Sequence, residues 1–265
     1  MTTPIRNVSK GKSHTITMGL YGEPGIGKTR LVGSCGALGR TLILRPPIDH
    51  TDSIIDTNNV DEWVINDWAE ADDALMYCRT EGAAIYDWVW LDSLSLWSDQ
   101  GIDDIWEQLI HDKPHRARWG LDKGEYWLNM QRIQRWIRHM VGCPDWHFGF
   151  TAHVERARVS ENEEDDTEKL MPYIQGKNMA SKMCAYTNIV GYMHWEKVGR
   201  SGTEARVLSL DSTSEFYAKD QFNTTDNGRM VNPTMTKIAE GIVAHNKAKS
   251  PATTKRAPAR RRPTK

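Results

Sequence analysis

The sequence predicts an α/β fold, with a mainly parallel central sheet flanked by helices and antiparallel strands late in the chain. Three observations carry that expectation. Short apolar segments alternate with segments of helical spacing, which is the pattern of βα units. The first apolar segment runs straight into a glycine-rich turn and then a helix. The run Tyr86 to Leu91 is almost wholly apolar or aromatic, as a parallel strand covered on both faces has to be.

Ile16 to Tyr21 reads as the first strand, and a helix follows from Gly27 or Lys28 to Leu38. Gly33, Ser34, Cys35, Gly36 and Ala37 allow it to pack closely on a sheet, although two glycines weaken it. Thr41 to Leu44 is the second strand, followed by a Pro46-Pro47 turn and a polar loop to Asn59. Glu62 to Ile65 is a third, short strand. Asp67 to Thr80 has helical spacing, with Trp68, Ala71, Leu75 and Cys78 near one face and acids at its start, where the helix dipole favours them. The fourth strand, Tyr86 to Leu91, ends at Asp92. Helices are expected over residues 101–111 and 122–141, separated by a basic stretch from His111 to Trp119. Trp146 to Ala152 is the fifth strand. From His153 to Gln175, with its run of acids at 161–168, the chain reads as a long polar loop. Asn178 to Cys184 forms a short helix. Thr187 to Trp195 and Arg206 to Leu210 form late strands joined through Gly199 and Gly202, and Thr234 to Ala248 is the last helix.

With 265 residues the chain has room for one such domain and a tail. Residues 1–13 read as a flexible N-terminus, 14–248 as the domain, and 249–265 as a disordered basic tail. That tail holds Lys249, Lys255, Arg256, Arg260, Arg261, Arg262 and Lys265 without an acid, so the body carries the compensating excess of acids. Such an extension is either a solvated tail or an arm for a polyanion, from which cations release counterions on binding. Cys35, Cys78, Cys143 and Cys184 lie far apart, form no paired motif and read as buried reduced thiols. The N-terminus lacks the apolar core of a signal peptide, and no run approaches the roughly 18 apolar residues of a membrane span. A cytoplasmic location without membrane association is the expectation.

Gly22-Glu23-Pro24-Gly25-Ile26-Gly27-Lys28-Thr29 fits the phosphate-binding pattern G-x-x-x-x-G-K-[ST] at every fixed position. Glycines let the backbone approach phosphate oxygens and turn successive N–H groups inward. These eight residues and the following Arg30 form the expected nucleotide-binding set, with ATP and Mg2+ as ligands. Lys28 is placed to reach the β and γ phosphates, and the Thr29 hydroxyl to ligate Mg2+. A ligand-free turn is the alternative, and the strand before and helix after it count against that reading. A Mg2+ held by Thr29, phosphates and water also needs an acidic neighbour, sought at the end of an adjacent buried strand. Trp88-Val89-Trp90-Leu91-Asp92 offers Asp92 there, unless that residue merely caps a turn.

Two predicted strands separate the loop from Asp92, and Asp92 is followed by Ser93 where ring ATPases of the AAA+ type usually show Glu. The run Asp92-Ser93-Leu94-Ser95-Leu96 resembles the Asp-Ser-hydrophobic run of RecA-type recombinases. Phe150-Thr151-Ala152-His153, the segment to Gln175, and Gly176 to Met183 follow the RecA-like order of polar sensor, DNA-contacting loop and glycine-containing helix start. Over residues 14–245 the chain resembles the minimal phage RecA-like ATPases that assist single-strand annealing and recombination. The resemblance implies a RecA-like P-loop core, ATP hydrolysis with Mg2+, and single-stranded DNA as a partner. It also implies a homo-oligomer, ring or filament, and a single-strand binding or annealing protein as a companion.

By that resemblance His153 senses the γ phosphate, although a lone His also serves as a core or capping residue. Where the family's water-activating Glu is expected, this sequence reads Arg45-Pro46-Pro47-Ile48-Asp49-His50. Asp49 is then the candidate base, with Asp52 behind it, and a slow ATPase or nucleotide-gated binder is expected. DNA contacts are expected from Arg156, Arg158 and Lys177, with Arg256, Arg260, Arg261 and Arg262 in the tail. The acids at 161–168 oppose contact by the whole loop. Arg132, Arg135, Arg138 and His139 on the 122–141 helix either line a DNA groove or form the wet face of a packing helix. Lys197, Arg200 and Lys219 are candidates to act on a neighbouring subunit's ATP. Rival readings are a helicase or helicase loader, a small-molecule kinase with 111–119 as an arginine-rich lid, and a nucleotide-gated scaffold.

Overall fold

The structure is a computed structural model and describes residues 15–158, 168–200 and 202–249. The expected flexible N-terminus, the acids at 161–167, and Arg256, Arg260, Arg261 and Arg262 of the basic tail lie outside the described residues. All five early strands form: β1 (Thr17–Gly22), β2 (Thr41–Arg45), β3 (Val60–Val64), β4 (Trp88–Leu91) and β5 (His147–Ala152). After β5 the chain leaves the sheet as a separate antiparallel pair, β6 (Val154–Arg158) and β7 (Glu168–Pro172). It returns as β8 (Ile189–Val198), β9 (Thr203–Ser209), β10 (Lys219–Asp220) and β11 (Arg229–Val231). Among the described residues, nine strands make one sheet with the path β11-β9-β8-β1-β5-β4-β2-β3, and β10 pairs with β8. Every pair from β8 through β1 to β3 is parallel, whereas β9, β10 and β11 join antiparallel.

Seven helices lie among the described residues: α1 (Lys28–Gly33), α2 (Trp68–Arg79), α3 (Leu94–Asp112), α4 (Pro114–Ala117), α5 (Lys123–Val141), α6 (Met179–Tyr186) and α7 (Met235–Lys249). They divide over two cores. One holds Trp97, Trp136, Ile137, Phe148 and Phe150. The other holds Ile26, Leu31, Trp90, Met235 and Ile238. Local sequence caps three of these helices, α2, α3 and α5. Asp67 accepts from Glu70 N at 2.9 Å to cap α2, and Asp122 with Glu125 forms a capping box for α5. Each such cap stabilises its helix by about 1 kcal/mol.

Three local expectations are corrected. The helix expected from residue 101 begins at Leu94, because Ser93 caps it by accepting from Leu96 N and Trp97, Ile102 and Ile105 bury its inner face. The helix after the phosphate loop ends early at Gly33 and continues as a 3-10 turn over Ser34–Ala37. There Gly36 meets the Asn58 carbonyl so closely that a Cβ would collide with it, so the glycine serves the close approach rather than the helix. Within the long loop expected after His153, residues 154–158 and 168–172 are the paired strands β6 and β7, and Val154 and Ala157 pack onto the first core. Charged Glu155, Arg156 and Arg158 around these two residues leave no apolar alternation for the sequence to show.

All four cysteines are buried and free, in line with the thiol reading. No described helix is long and apolar enough to cross a membrane.

Candidate functional site

Strand order places the site. Because β5 lies between β1 and β4, the carboxyl ends of all three meet on one edge of the sheet. In open α/β sheets that edge is where ligands bind. The phosphate loop leaves β1 at Gly22, whose Cβ position is filled by the Met193 carbonyl, and turns through Gly25 at φ 76° and Gly27 at φ 98°. Both latter values lie in the left-handed region that glycine tolerates. Buried Ile26 anchors the loop, while Glu23, Pro24, Gly25 and Arg30 are exposed. Among the described residues no acceptor takes the N–H groups of Gly25 or Gly27. They remain available to an anion.

Lys28 is only 8% exposed, and its Nζ donates to the Gly22 carbonyl at 2.9 Å and the Glu23 carbonyl at 3.0 Å. Burial pulls its ammonium below the usual lysine range, against the attraction of Asp92, Asp49 and Glu23. Asp92 ends β4 at 3% exposure, with its backbone N–H on the Leu44 carbonyl. Burial raises its carboxyl, while hydroxyls of Thr151 and Thr29 and the charge of Lys28 oppose that rise. Thus a cation and an anion both sit partly desolvated, and burial opposes the charge of each. A phosphate against Lys28 and a divalent cation beside Asp92 would offset that penalty for both, so the residues fit a Mg2+-nucleotide. Thr29 and Asp92 are the side chains that would hold Mg2+, which neutralises charge on phosphate oxygens when bound. No group of three or more His, Cys, Asp or Glu side chains gathers around a metal position among the described residues, so phosphates and water would supply the other ligands.

Asp49 sits in the turn after β2, half-buried, and its charge acts on Lys28, Asp92 and His153. Arg45 holds that turn: its guanidinium donates to the Asp49 carbonyl at 2.7 Å and pairs with Glu62 at 2.8 Å. Position therefore keeps Asp49 as the candidate base, while Asp52 lies a turn further out and is exposed. His153 follows β5 and is half-buried. Burial first, then Lys28, lowers its imidazole below the ordinary histidine range, so it is neutral near pH 7 and free to share a hydrogen bond.

A hydrogen-bond chain runs from this edge into the hairpin. Ser95 Oγ accepts from His153 N at 2.8 Å and donates to the Tyr173 carbonyl at 2.6 Å, while Tyr173 N donates to the His153 carbonyl at 2.8 Å. One turn along α3, Ser98 Oγ accepts from Gln175 N, and buried Asn129 donates to both the Ser98 carbonyl and Gln175. Arg156 and Arg158 project from β6 and are exposed, as is Lys177 in the turn before α6.

Other expectations change. α5 buries Ile133, Trp136, Ile137 and Met140 and exposes Arg135, Arg138 and His139, so it packs on the sheet and also presents a basic face. Trp127, near the start of the same helix, is 57% exposed. Lys219 donates to the Cys184 and Thr187 carbonyls and so is occupied at the end of α6. Lys197 and Arg200 are exposed. Arg116, from the stretch that resembled a kinase lid, is tied to the Gly120 carbonyl, Asp122 and Glu125 at the start of α5. Thr151 and Arg206 were not foreseen as site residues. Thr151 stood inside a recognised segment without a role, and Arg206 had no signal, since only pairing of β9 with β8 brings it to the loop.

The fold and this edge define a P-loop ATPase core. A family model described as an AAA domain matches residues 14–222, and the chain belongs to that family. No curated protein matches the sequence. Among solved structures the chain is similar to a KaiC-like protein from Pyrococcus horikoshii OT3, with 11% identity, 83% of this chain and 91% of that one covered, and a TM-score of 0.43. It is similar to the flagellar accessory protein FlaH from Methanocaldococcus jannaschii, with 9% identity, coverages of 83% and 91%, and a TM-score of 0.38. The RadB recombinase gives 11% identity, coverages of 82% and 90%, and a TM-score of 0.42.

Proposed function

We propose that this ATPase binds and slowly hydrolyses MgATP to control its hold on single-stranded DNA, in recombination, annealing or replication of the phage type. The observation that carries the reading is the root of the β6–β7 hairpin. It begins one residue after His153, which lies within electrostatic reach of Lys28, and is stitched through Ser95 and Tyr173 to α3, which starts two residues after Asp92. A change of charge where the γ phosphate would lie is therefore transmitted through fixed hydrogen bonds to a surface bearing Arg156 and Arg158. Near it, Asn129 and Met130 of α5 touch Gln175 and Gly176, one turn from exposed Tyr126 and Trp127. Cations beside exposed aromatic faces are the chemistry of single-strand binding.

Asp49 as the remaining candidate base accounts for slow turnover. The exposed Lys197 and Arg200 suit a role toward a neighbouring subunit in a ring or filament, and a single-strand binding or annealing protein is the expected companion in the cytoplasm. The fixed Arg116 weighs against a kinase lid. The test is ATP hydrolysis by the full chain with and without mixed-sequence single-stranded DNA. Stimulation that Arg156→Ala with Arg158→Ala abolishes, at an unchanged basal rate, supports the reading. Hydrolysis indifferent to DNA overturns it.

A further inference from the structure

We propose that Trp195 and Arg206 seat the base of the bound nucleotide, on the flank of the phosphate loop opposite Asp92. This rests on the reading of the loop as a nucleotide site. Trp195 of β8 and Arg206 of β9 are directly paired across the antiparallel ladder, so both side chains leave the same face of the sheet. The Arg206 guanidinium carbon lies 5.2 Å from the centroid of the Trp195 ring, and the indole is 53% exposed. The same guanidinium leans on the phosphate loop: a Cβ built on Gly27 would lie 3.3 Å from both Cζ and Nε of Arg206. A planar cation and a half-open indole thus stand together at the loop's edge.

Among the described residues, no carboxylate pairs with that cation, and its Nε is buried without an acceptor. The nearby acid on β8, Glu196, is held by Arg229 through two hydrogen bonds of 3.0 and 2.7 Å. A buried guanidinium N–H left without an acceptor is costly, which points to an acceptor atom of a ligand as its missing neighbour.

Sheet order assigns the part of the ligand. β5 and β4, with His153 and Asp92, lie on one side of β1, and β8 and β9 lie on the other. A triphosphate whose terminal phosphate faces Asp92 and Lys28 leaves the loop toward β8 and β9, carrying its ribose and base there. The π face of a base stacks on an indole or guanidinium plane without needing a fixed hydrogen-bond pattern.

The test compares MgATP with magnesium tripolyphosphate, which has the phosphates but no base, by titration calorimetry on the full chain. Trp195→Ala is expected to weaken MgATP roughly tenfold and leave tripolyphosphate unchanged, because one stacked base is lost. Trp195→Phe restores most of the difference, and Arg206→Lys, which keeps charge but loses the plane, weakens MgATP alone. Lys28→Ala weakens both ligands. Unchanged MgATP affinity in Trp195→Ala, or equal loss of both ligands in it, overturns the base seat and leaves the loop assignment standing. Failure of the wild-type chain to bind either ligand overturns the loop assignment, and the base seat with it.

Discussion

Replacing Thr151 with Val tests how the buried carboxylate of Asp92 is maintained. The two residues are 0% and 3% exposed, and the Thr151 hydroxyl donates to Asp92 Oδ1. Valine keeps the shape and removes the donor. A hydrogen bond to a charged group contributes about 1.5–3 kcal/mol, against about 1 kcal/mol for a neutral one. With Asp92 ionised, Thr151→Val is therefore expected to cost about 2 kcal/mol of stability. In an Asp92→Asn background the amide still accepts, but only as a neutral group, and the same change costs about 1 kcal/mol. The pair should thus show a coupling of about 1 kcal/mol in a double-mutant cycle measured by urea unfolding near pH 8. In a domain of this size 2 kcal/mol corresponds to a fall in Tm of about 4–8 °C. The lost donor also pushes the Asp92 carboxyl further up, so MgATP affinity measured by calorimetry should weaken. Equal cost of Thr151→Val in both backgrounds refutes the reasoning, because the hydroxyl would then act on packing and not on the carboxylate.

Asp49→Ala should lower the hydrolysis rate about 100-fold or more while MgATP affinity, measured by calorimetry, stays within about threefold, as expected for loss of a general base. An unchanged rate removes Asp49 from that role. Asp104 is held up to about 6 by burial and by the charge of Asp67. A carboxyl raised in the folded state binds its proton more tightly there than when unfolded, so the folded state loses stability as pH rises from about 4 to about 6. Asp104→Asn should therefore stabilise the protein by about 1 kcal/mol at pH 8, after allowance for solvent screening, and by nothing at pH 4. A stability gain independent of pH excludes this cause.

Much of the site was legible because its chemistry is contiguous in the chain. Gly22 to Thr29 states its own backbone geometry, since phosphate binding needs glycines at fixed spacing followed by Lys28 and Thr29. Asp92 was readable for a similar reason: a carboxylate ending the apolar run Trp88 to Leu91 marks a strand end that faces a charge. Asp49 was reached only by elimination along the sequence. Its place near Lys28 depends on Arg45 holding a turn through Glu62 on a neighbouring strand. The hairpin after His153 was read as loop because charges interrupt its short alternation, and its order comes from Val154 and Ala157 packing on a core assembled from distant strands.

Alternating periodicity and the spacing of glycines therefore determined the α/β class, the phosphate loop and the strand that ends in Asp92. Those are local properties, in which each residue's effect is felt within a few positions of itself. Strand order, the meeting of Thr151 with Asp92, and the approach of Arg206 to Gly27 were decided only by the folded sheet. They arise from pairing between segments far apart in the chain, and the free energy that selects among such pairings comes from burial of whole faces, which no short stretch of sequence contains.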